Sequence, residues 1–318
     1  MENLQPFEVY NREIKDAFLS ARRQDPNHFL RKIDLAWSVW MFGTEGLAAS
    51  AKRLSANGIR YVEMKGDHQT RDLGTAAVYA REVLAGNGLQ ASGTCGMFGS
   101  ENDLSSNSAY VRQHAIDYVR SEVEFLAELG GSYLIVVPSA VGRPVPIDNG
   151  EFVRSARSLA ACGDDFAAAG IAAAVEPIRS AEVSLIHTVK EAVSYIEAVG
   201  HSAIGHINAD IYHMSLEETH IGQAILSCGD RLKNLHLADT NRDGLGRGMM
   251  DLDTVIMAAY LTGMNQEGRF LTPEPLGPYP DPYVLANSPC KTEIMDSLVK
   301  ESVRHFRERE EYVRTLET

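Results

Sequence analysis

The feature that most constrains this chain is an alternation repeated eight times, in which a short apolar run is followed by an amphipathic segment. The apolar runs are KIDLAWSVWMF from Lys32, RYVEMK from Arg60, LQASGTCGM from Leu89 and SYLIVVP from Ser132. IAAAVEP from Ile171, AIGHINADI from Ala203, LKNLHLAD from Leu232 and RFLTPEP from Arg269 complete the set. Between them, AYVRQHAIDYVRSEVEFLAELGG, TVKEAVSYIEAVG and DLDTVIMAAYLTG place apolar residues at three- and four-residue steps and close on glycine, which predicts helices. In TEGLAASAKRLSANG, Thr44 is expected to cap the first turn and Gly58 to end the last. Strands that are apolar on both faces need cover on both faces, which calls for a parallel sheet. Eight β-then-α units predict an α/β fold of the (β/α)₈ TIM-barrel type, with a doubly wound open sheet as the alternative. No linker-like stretch divides the chain. The expected division is an N-terminal extension over residues 1–31 and a single barrel domain over 32–318. LGPYPDPYVLANSPCK, from Leu276 to Lys291, reads as a long structured loop after the last strand.

The net charge of −13 argues against a nucleic-acid partner and against binding to an anionic membrane. The opening residues are polar and mixed in charge, unlike a signal peptide or a membrane span. Cys95, Cys162, Cys228 and Cys290 are widely spaced and form no CxxC pair, which fits reduced thiols in a cytoplasmic protein.

Chemistry in such a barrel sits at the carboxyl ends of the strands. Those ends carry Glu176, Asp210, His236 and Glu274 on runs five to eight. Each alone has a plainer account: an arginine partner for either glutamate, a satisfied core histidine, a helix cap for the aspartate. Together they differ, because unpaired buried carboxylates are costly and repel one another without a cation. Three carboxylates and one imidazole suit Mn²⁺ or Mg²⁺, with Co²⁺ or Zn²⁺ as alternatives. Gly244, Gly246 and Gly248 lack the spacing of a phosphate-binding loop, so a flexible rim loop is expected there.

The stretches AVEPIRSAE, INADIYHMSLEE, NLHLADTNRDGLGRG and TPEPLGP resemble the metal-dependent sugar isomerases and epimerases with xylose-isomerase-like barrels. Among these they look closest to the ketose 3-epimerases of the tagatose and psicose type. That resemblance implies Glu176, Asp210, His236 and Glu274 as ligands of Mn²⁺, with Co²⁺ or Mg²⁺ possible. It implies Glu176 and Glu274 as the groups that move a proton beside a ketone, and Glu182, His213 and Arg242 as contacts to the sugar. The N-terminal extension, GTCGMFGSENDL, WSVWMFG, VVPSAVGRP and EPLGPYPDPY look more like the catalytic α subunit of C-glycoside deglycosidases. Those enzymes imply β-elimination from a 3-keto-glycoside and a small β subunit in a hetero-oligomer.

The leading expectation is therefore a metal-dependent lyase on 3-keto-glycosides, and the alternative a 3-epimerase or isomerase of free ketoses. Lys65 and His68, at the end of run two, are expected at the same mouth. One would serve as an acid for the departing aglycone or as a hydrogen-bond donor, though a surface histidine and a solvated lysine are the plainer account. Arg143, after run four, is expected to clamp a hydroxyl. The related DNA-repair endonucleases use more histidine ligands, and the acidic charge speaks against that branch.

Overall fold

In a computed structural model, residues 4–66, 73–277 and 282–317 are described. Each apolar run contains one strand: β1 (Ala36–Ser38), β2 (Tyr61–Gly66), β3 (Gln90–Gly96) and β4 (Tyr133–Val136). The second half supplies β5 (Ala172–Val175), β6 (His206–Asp210), β7 (Leu232–Leu237) and β8 (Phe270–Pro273). All neighbours pair in parallel in the order β1 to β8. A parallel bridge between Leu35 and Leu271, with the Leu271 N–H donating to the Asp34 carbonyl at 3.1 Å, joins the last strand to the first. The sheet is thus a TIM barrel, and the open doubly wound alternative falls away.

The connecting helices follow the predicted grammar. Thr188 caps Val189–Val199 by accepting from the Glu191 N–H, and the Glu191 carboxylate reaches back to the cap. Asp251 does the same service for Leu252–Leu261 by accepting from Thr254. Thr44 does not cap its helix. Leu47–Ala56 begins behind Gly46, while the Thr44 hydroxyl donates to the Ser288 carbonyl at 3.4 Å. The reason lies one residue earlier. Gly43 sits at φ 62° against the carbonyls of Leu285 and Ser288, so this turn belongs to the contact with the segment after β8. That segment, expected as a long structured loop, contains a helix at Pro282–Ala286 before the long helix Thr292–Arg314.

The first run gives only three residues of strand and then a tight helical turn, Val39–Phe42. Trp37 is fully buried and stacks on Phe42, whereas Trp40 turns toward the carboxyl end of the barrel.

Residues of the N-terminal extension form the helix Pro6–Gln24, which packs on Leu252–Leu261 and on Ile221–Cys228. Its apolar stripe, Ile14, Phe18 and Leu19, is buried. The Phe18 ring meets Phe29 edge-on at 5.3 Å and Tyr260 at 6.0 Å. Arg22 donates to the Arg314 carbonyl at 2.6 Å, tying this helix to the C-terminal one. Among the described residues, no helix is long and apolar enough to cross a membrane. Phe18→Ala removes a fully buried ring between these elements and is expected to cost about 3–5 kcal/mol of folding stability, read from denaturant unfolding. A loss under 1 kcal/mol would show that the helix is not part of the cooperative unit.

Candidate active site

Parallel register brings the strand ends together. Asp210 lies opposite His236 across β6 and β7, and His236 opposite Thr272 across β7 and β8, so Glu274 follows one step beyond the end of β8. Glu176 directly follows β5, where its N–H donates to the Val136 carbonyl at 3.0 Å. All four side chains are buried. His236 Nδ1 lies 3.6 Å from Glu176 and 3.4 Å from Glu274. The ligand atoms of Glu176, Asp210 and His236 fall within 4.8 Å of one another.

The other imidazole nitrogen meets a residue that the sequence reading missed. Glu63, on β2 and wholly buried, lies with Oε2 3.0 Å from His236 Nε2. The Tyr133 hydroxyl donates to the same Oε2 at 2.8 Å, and the Asn234 amide at 3.3 Å. A carboxylate on Nε2–H holds the ring's orientation and leaves the Nδ1 lone pair for a cation on the opposite side. The signal was present as a lone glutamate inside the apolar run RYVEMK.

Asp210 also caps the helix Ile211–Glu217, so its plainer account holds as well. Oδ1 accepts from the Tyr212 N–H at 2.8 Å, while Oδ2 is buried without a hydrogen bond. Trp40 Nε1 donates to Glu274 at 2.6 Å. Arg242 donates to Glu274 and lies 3.5 Å from Asp210. Its backbone, with that of Asn241, is left-handed at φ 59°, a conformation that β-carbon sterics disfavour. Main-chain bonds from Arg242 N–H to Asp239 at 2.9 Å and from Leu276 to Arg242 at 2.7 Å hold it there.

The glycine loop beyond is not loose. The Asp239 carboxylate accepts N–H bonds from Thr240, Gly246 and Met250, and Gly246, at φ 85°, lies where a Cβ would come within 2.6 Å of the His305 ring. The expected flexible rim is a bound one, because one carboxylate gathers its backbone.

Burial pushes the Glu176 carboxyl up to about 7, although the hydrogen bond and charge of His236 oppose it. Burial lifts Asp210 to about 6 against the pull of Arg242. Glu274 is equally desolvated, yet His236, Arg242 and the Trp40 donor outweigh that and hold it below the ordinary carboxylate value. His236 would be lowered by burial alone, but Glu274 and Glu63 drive it well above its usual range. Burial, then the Arg242 charge, keeps His213 well below its usual range. Among the described residues, four buried carboxylates here face one guanidinium and the raised His236 imidazole, with the His213 ring beside Asp210 kept neutral. That excess of negative charge, together with the orphaned Asp210 Oδ2, fits a divalent cation held by Glu176, Asp210, His236 Nδ1 and Glu274.

Beside this cage lies a cavity of about 430 Å³ lined by Glu176, Glu182, His213, Arg242, Glu274 and Trp40, among others. Glu182 is held by Arg179, and His213 Nε2 lies 3.4 Å from Asp210. Arg143 is not in the lining. Its guanidinium instead ties Glu151 to Asp103 and Ser105, a strut between loops and not an open clamp. Lys65 is half-buried two residues beyond Glu63 on β2. His68, expected at the same mouth, lies outside the described residues.

A barrel whose carboxyl end buries a carboxylate–imidazole cage defines a class of metal-site (β/α)₈ proteins. The chain belongs to the Xylose isomerase-like TIM barrel family, whose model matches residues 51–276. It is 28% identical to the ketose 3-epimerase of Arthrobacter globiformis over 71% of this chain and 78% of that one. It is also 28% identical to the 3-dehydro-D-guloside 4-epimerase of Escherichia coli, over 54% and 69% respectively. The D-allulose 3-epimerase of Methylomonas sp. superposes with a TM-score of 0.76 at 20% identity, over 88% of this chain and 98% of that one.

Two measurements check the cage. Glu63→Gln is expected to lower Mn²⁺ affinity by about 10–100-fold with the fold retained, read by calorimetry and circular dichroism; unchanged affinity would make Glu63 a packing residue. Mn²⁺ has to displace protons from carboxyls raised to about 7 and about 6, so its apparent affinity should rise from pH 5 toward pH 8. For Glu176 the folded form binds its proton more tightly than the unfolded chain, whose value is 4.5, so the metal-free protein loses stability as pH climbs toward 7. A thermal shift on Mn²⁺ addition that shrinks over that interval would refute the assignment.

Proposed function

We propose that this protein is a divalent-metal-dependent epimerase or isomerase that moves a proton on the carbon beside the ketone of a keto-sugar. The observation that carries this reading is the pair Glu176 and Glu274, from β5 and β8, both within 3.6 Å of one imidazole nitrogen and both lining the sugar-sized cavity. A divalent ion held in the cage acts as a Lewis acid on the ketone and makes the neighbouring C–H more acidic. One carboxylate removes that proton and the other returns it, and the two residues exchange these parts when the reaction runs backward. Arg242 and Glu182 present a donor and an acceptor to the sugar's oxygens, and His213, kept neutral by burial, adds a donor that brings no charge. Trp40 lines the cavity and donates its indole N–H to Glu274, which orients that carboxylate.

The named relatives are epimerases, and they support proton return over β-elimination. The lyase reading shares the first step but requires a group beside the acidified carbon to leave, and no observation here favours it. A small β subunit likewise has no support beyond the sequence resemblance. Mn²⁺, with Co²⁺ or Mg²⁺ as substitutes, remains the cation suggested by the ligand types.

Incubation of the Mn²⁺ protein in deuterated water with a free ketohexose, and separately with a 3-keto-glycoside, tests the reading by NMR. Deuterium beside the ketone with the glycosidic bond intact is the expected result; aglycone release would establish the lyase, and unlabelled sugar in both tubes would overturn the proposal. Glu274→Gln is expected to slow exchange by about 10²–10⁴-fold, the usual loss when a general base is removed.

A further inference from the structure

Part of the catalytic cavity is built from loops and not from strand ends. Phe98 comes from the loop after β3, Val141 from the loop after β4 and Glu182 from the loop after β5. Two main-chain hydrogen bonds join them. The Val141 N–H donates to the Phe98 carbonyl at 3.0 Å, and the Gly142 N–H to the Glu182 carbonyl at 2.9 Å. A parallel bridge between Arg143 and Val183 carries the second contact one residue further. Each such bond contributes only about 1 kcal/mol net, a weak restraint on a loop that must hold a carboxylate at a sugar.

Arg143 supplies the rest of the restraint. One edge of its guanidinium donates to Asp103 and Ser105, on the β3 loop, both at 2.8 Å. The other edge donates to Glu151 and, at 3.1 Å, to the Ser184 hydroxyl, two residues past Glu182. Ser184 in turn donates to Glu151 at 2.9 Å, so the β5 loop is gripped twice. Asp103 and Glu151 are only 3% and 1% exposed, and among the described residues Arg143 is the cation that both share. Buried acids that depend on one forked cation fix where that cation stands, and with it the loops it joins.

Resting on the keto-sugar reading above, we propose that Arg143, which does not itself line the cavity, is a positioning residue that sets affinity for the sugar through Glu182. The role needs a planar fork, because two edges reach two loops at once where an ammonium reaches one. Glu182 offers an acceptor to the sugar and takes no part in the proton transfer assigned to Glu176 and Glu274. Its displacement therefore weakens substrate and transition state alike, which appears in KM and not in kcat. The cage stands on strand ends to which, among the described residues, Arg143 makes no bond, so the metal is unaffected.

The test uses the Mn²⁺ protein and whichever of a ketohexose and a 3-keto-glycoside the wild type labels in deuterated water. Arg143→Lys keeps the charge that the buried acids need but cannot span both loops. It is expected to raise KM by about tenfold, with kcat within about twofold and Mn²⁺ affinity unchanged by calorimetry. Ser184→Ala removes only the tie to the Glu182 loop and should raise KM by about threefold; it carries the test should the lysine variant fail to fold. In a Glu182→Ala background either substitution should lower kcat/KM by less than about twofold more, because the group it acts through is gone. A full loss in that background would overturn the assignment and make Arg143 a general support of the barrel mouth. A matching fall in kcat, weakened Mn²⁺ binding, or an unchanged KM in both variants would overturn it as well, each leaving the function in place. A wild type that labels neither sugar would sink the functional reading, and this assignment with it.

Discussion

The structure depends on a concentration of like charge placed where water cannot screen it. Glu63, Glu176, Asp210 and Glu274 are all buried at one end of the barrel, and among the described residues the charges that answer them are those of His236 and Arg242. Charges this close in a poorly polarisable interior cannot all ionise unless cations or protons balance them. His236 answers on both edges of its ring, with Nε2 toward Glu63 and Nδ1 toward the cage. That single imidazole therefore couples the interior of the barrel to its chemistry. The polar chain continues inward: the Thr272 hydroxyl donates to Asn234, whose amide donates to Asn208 and Glu63. A fully hydrogen-bonded network of this kind holds the strands of the barrel in one register.

The surrounding segments can be understood as supports for this cluster. Trp40 reaches Glu274 because β1 ends after three residues. Arg242 reaches it because two residues take a left-handed turn that Asp239 and Leu276 lock in place. Each departure from regular structure, the short strand and the strained turn alike, delivers one side chain to one carboxylate. Backbone strain at a site is tolerated when neighbouring bonds overdetermine it.

Much of this was legible in the sequence. The eightfold alternation was, because a parallel strand buried on both faces has to be apolar throughout and a barrel helix has to be amphipathic. The cage residues Glu176, Asp210, His236 and Glu274 stood out for the same reason: each is a polar residue at or near the end of an apolar run. Glu63 belongs to the same grammar but sits inside its run and not at the end, so a reading restricted to strand ends passed over it. Arg143 shows the converse failure. It follows a strand as a site residue would, yet the acids that claim it, Glu151 and Asp103, lie 8 and 40 residues away in the chain.

The sequence by itself determined the architecture and the four cage residues, since both follow from local periodicity and from the position of a polar group relative to an apolar run. Tertiary structure alone decided which imidazole nitrogen faces the carboxylates, which arginine reaches them, and which loops Arg143 ties together. Those are relations between segments far apart in the chain. They arise only when closure of the sheet sets one strand end beside another, and no local pattern encodes the distance that results.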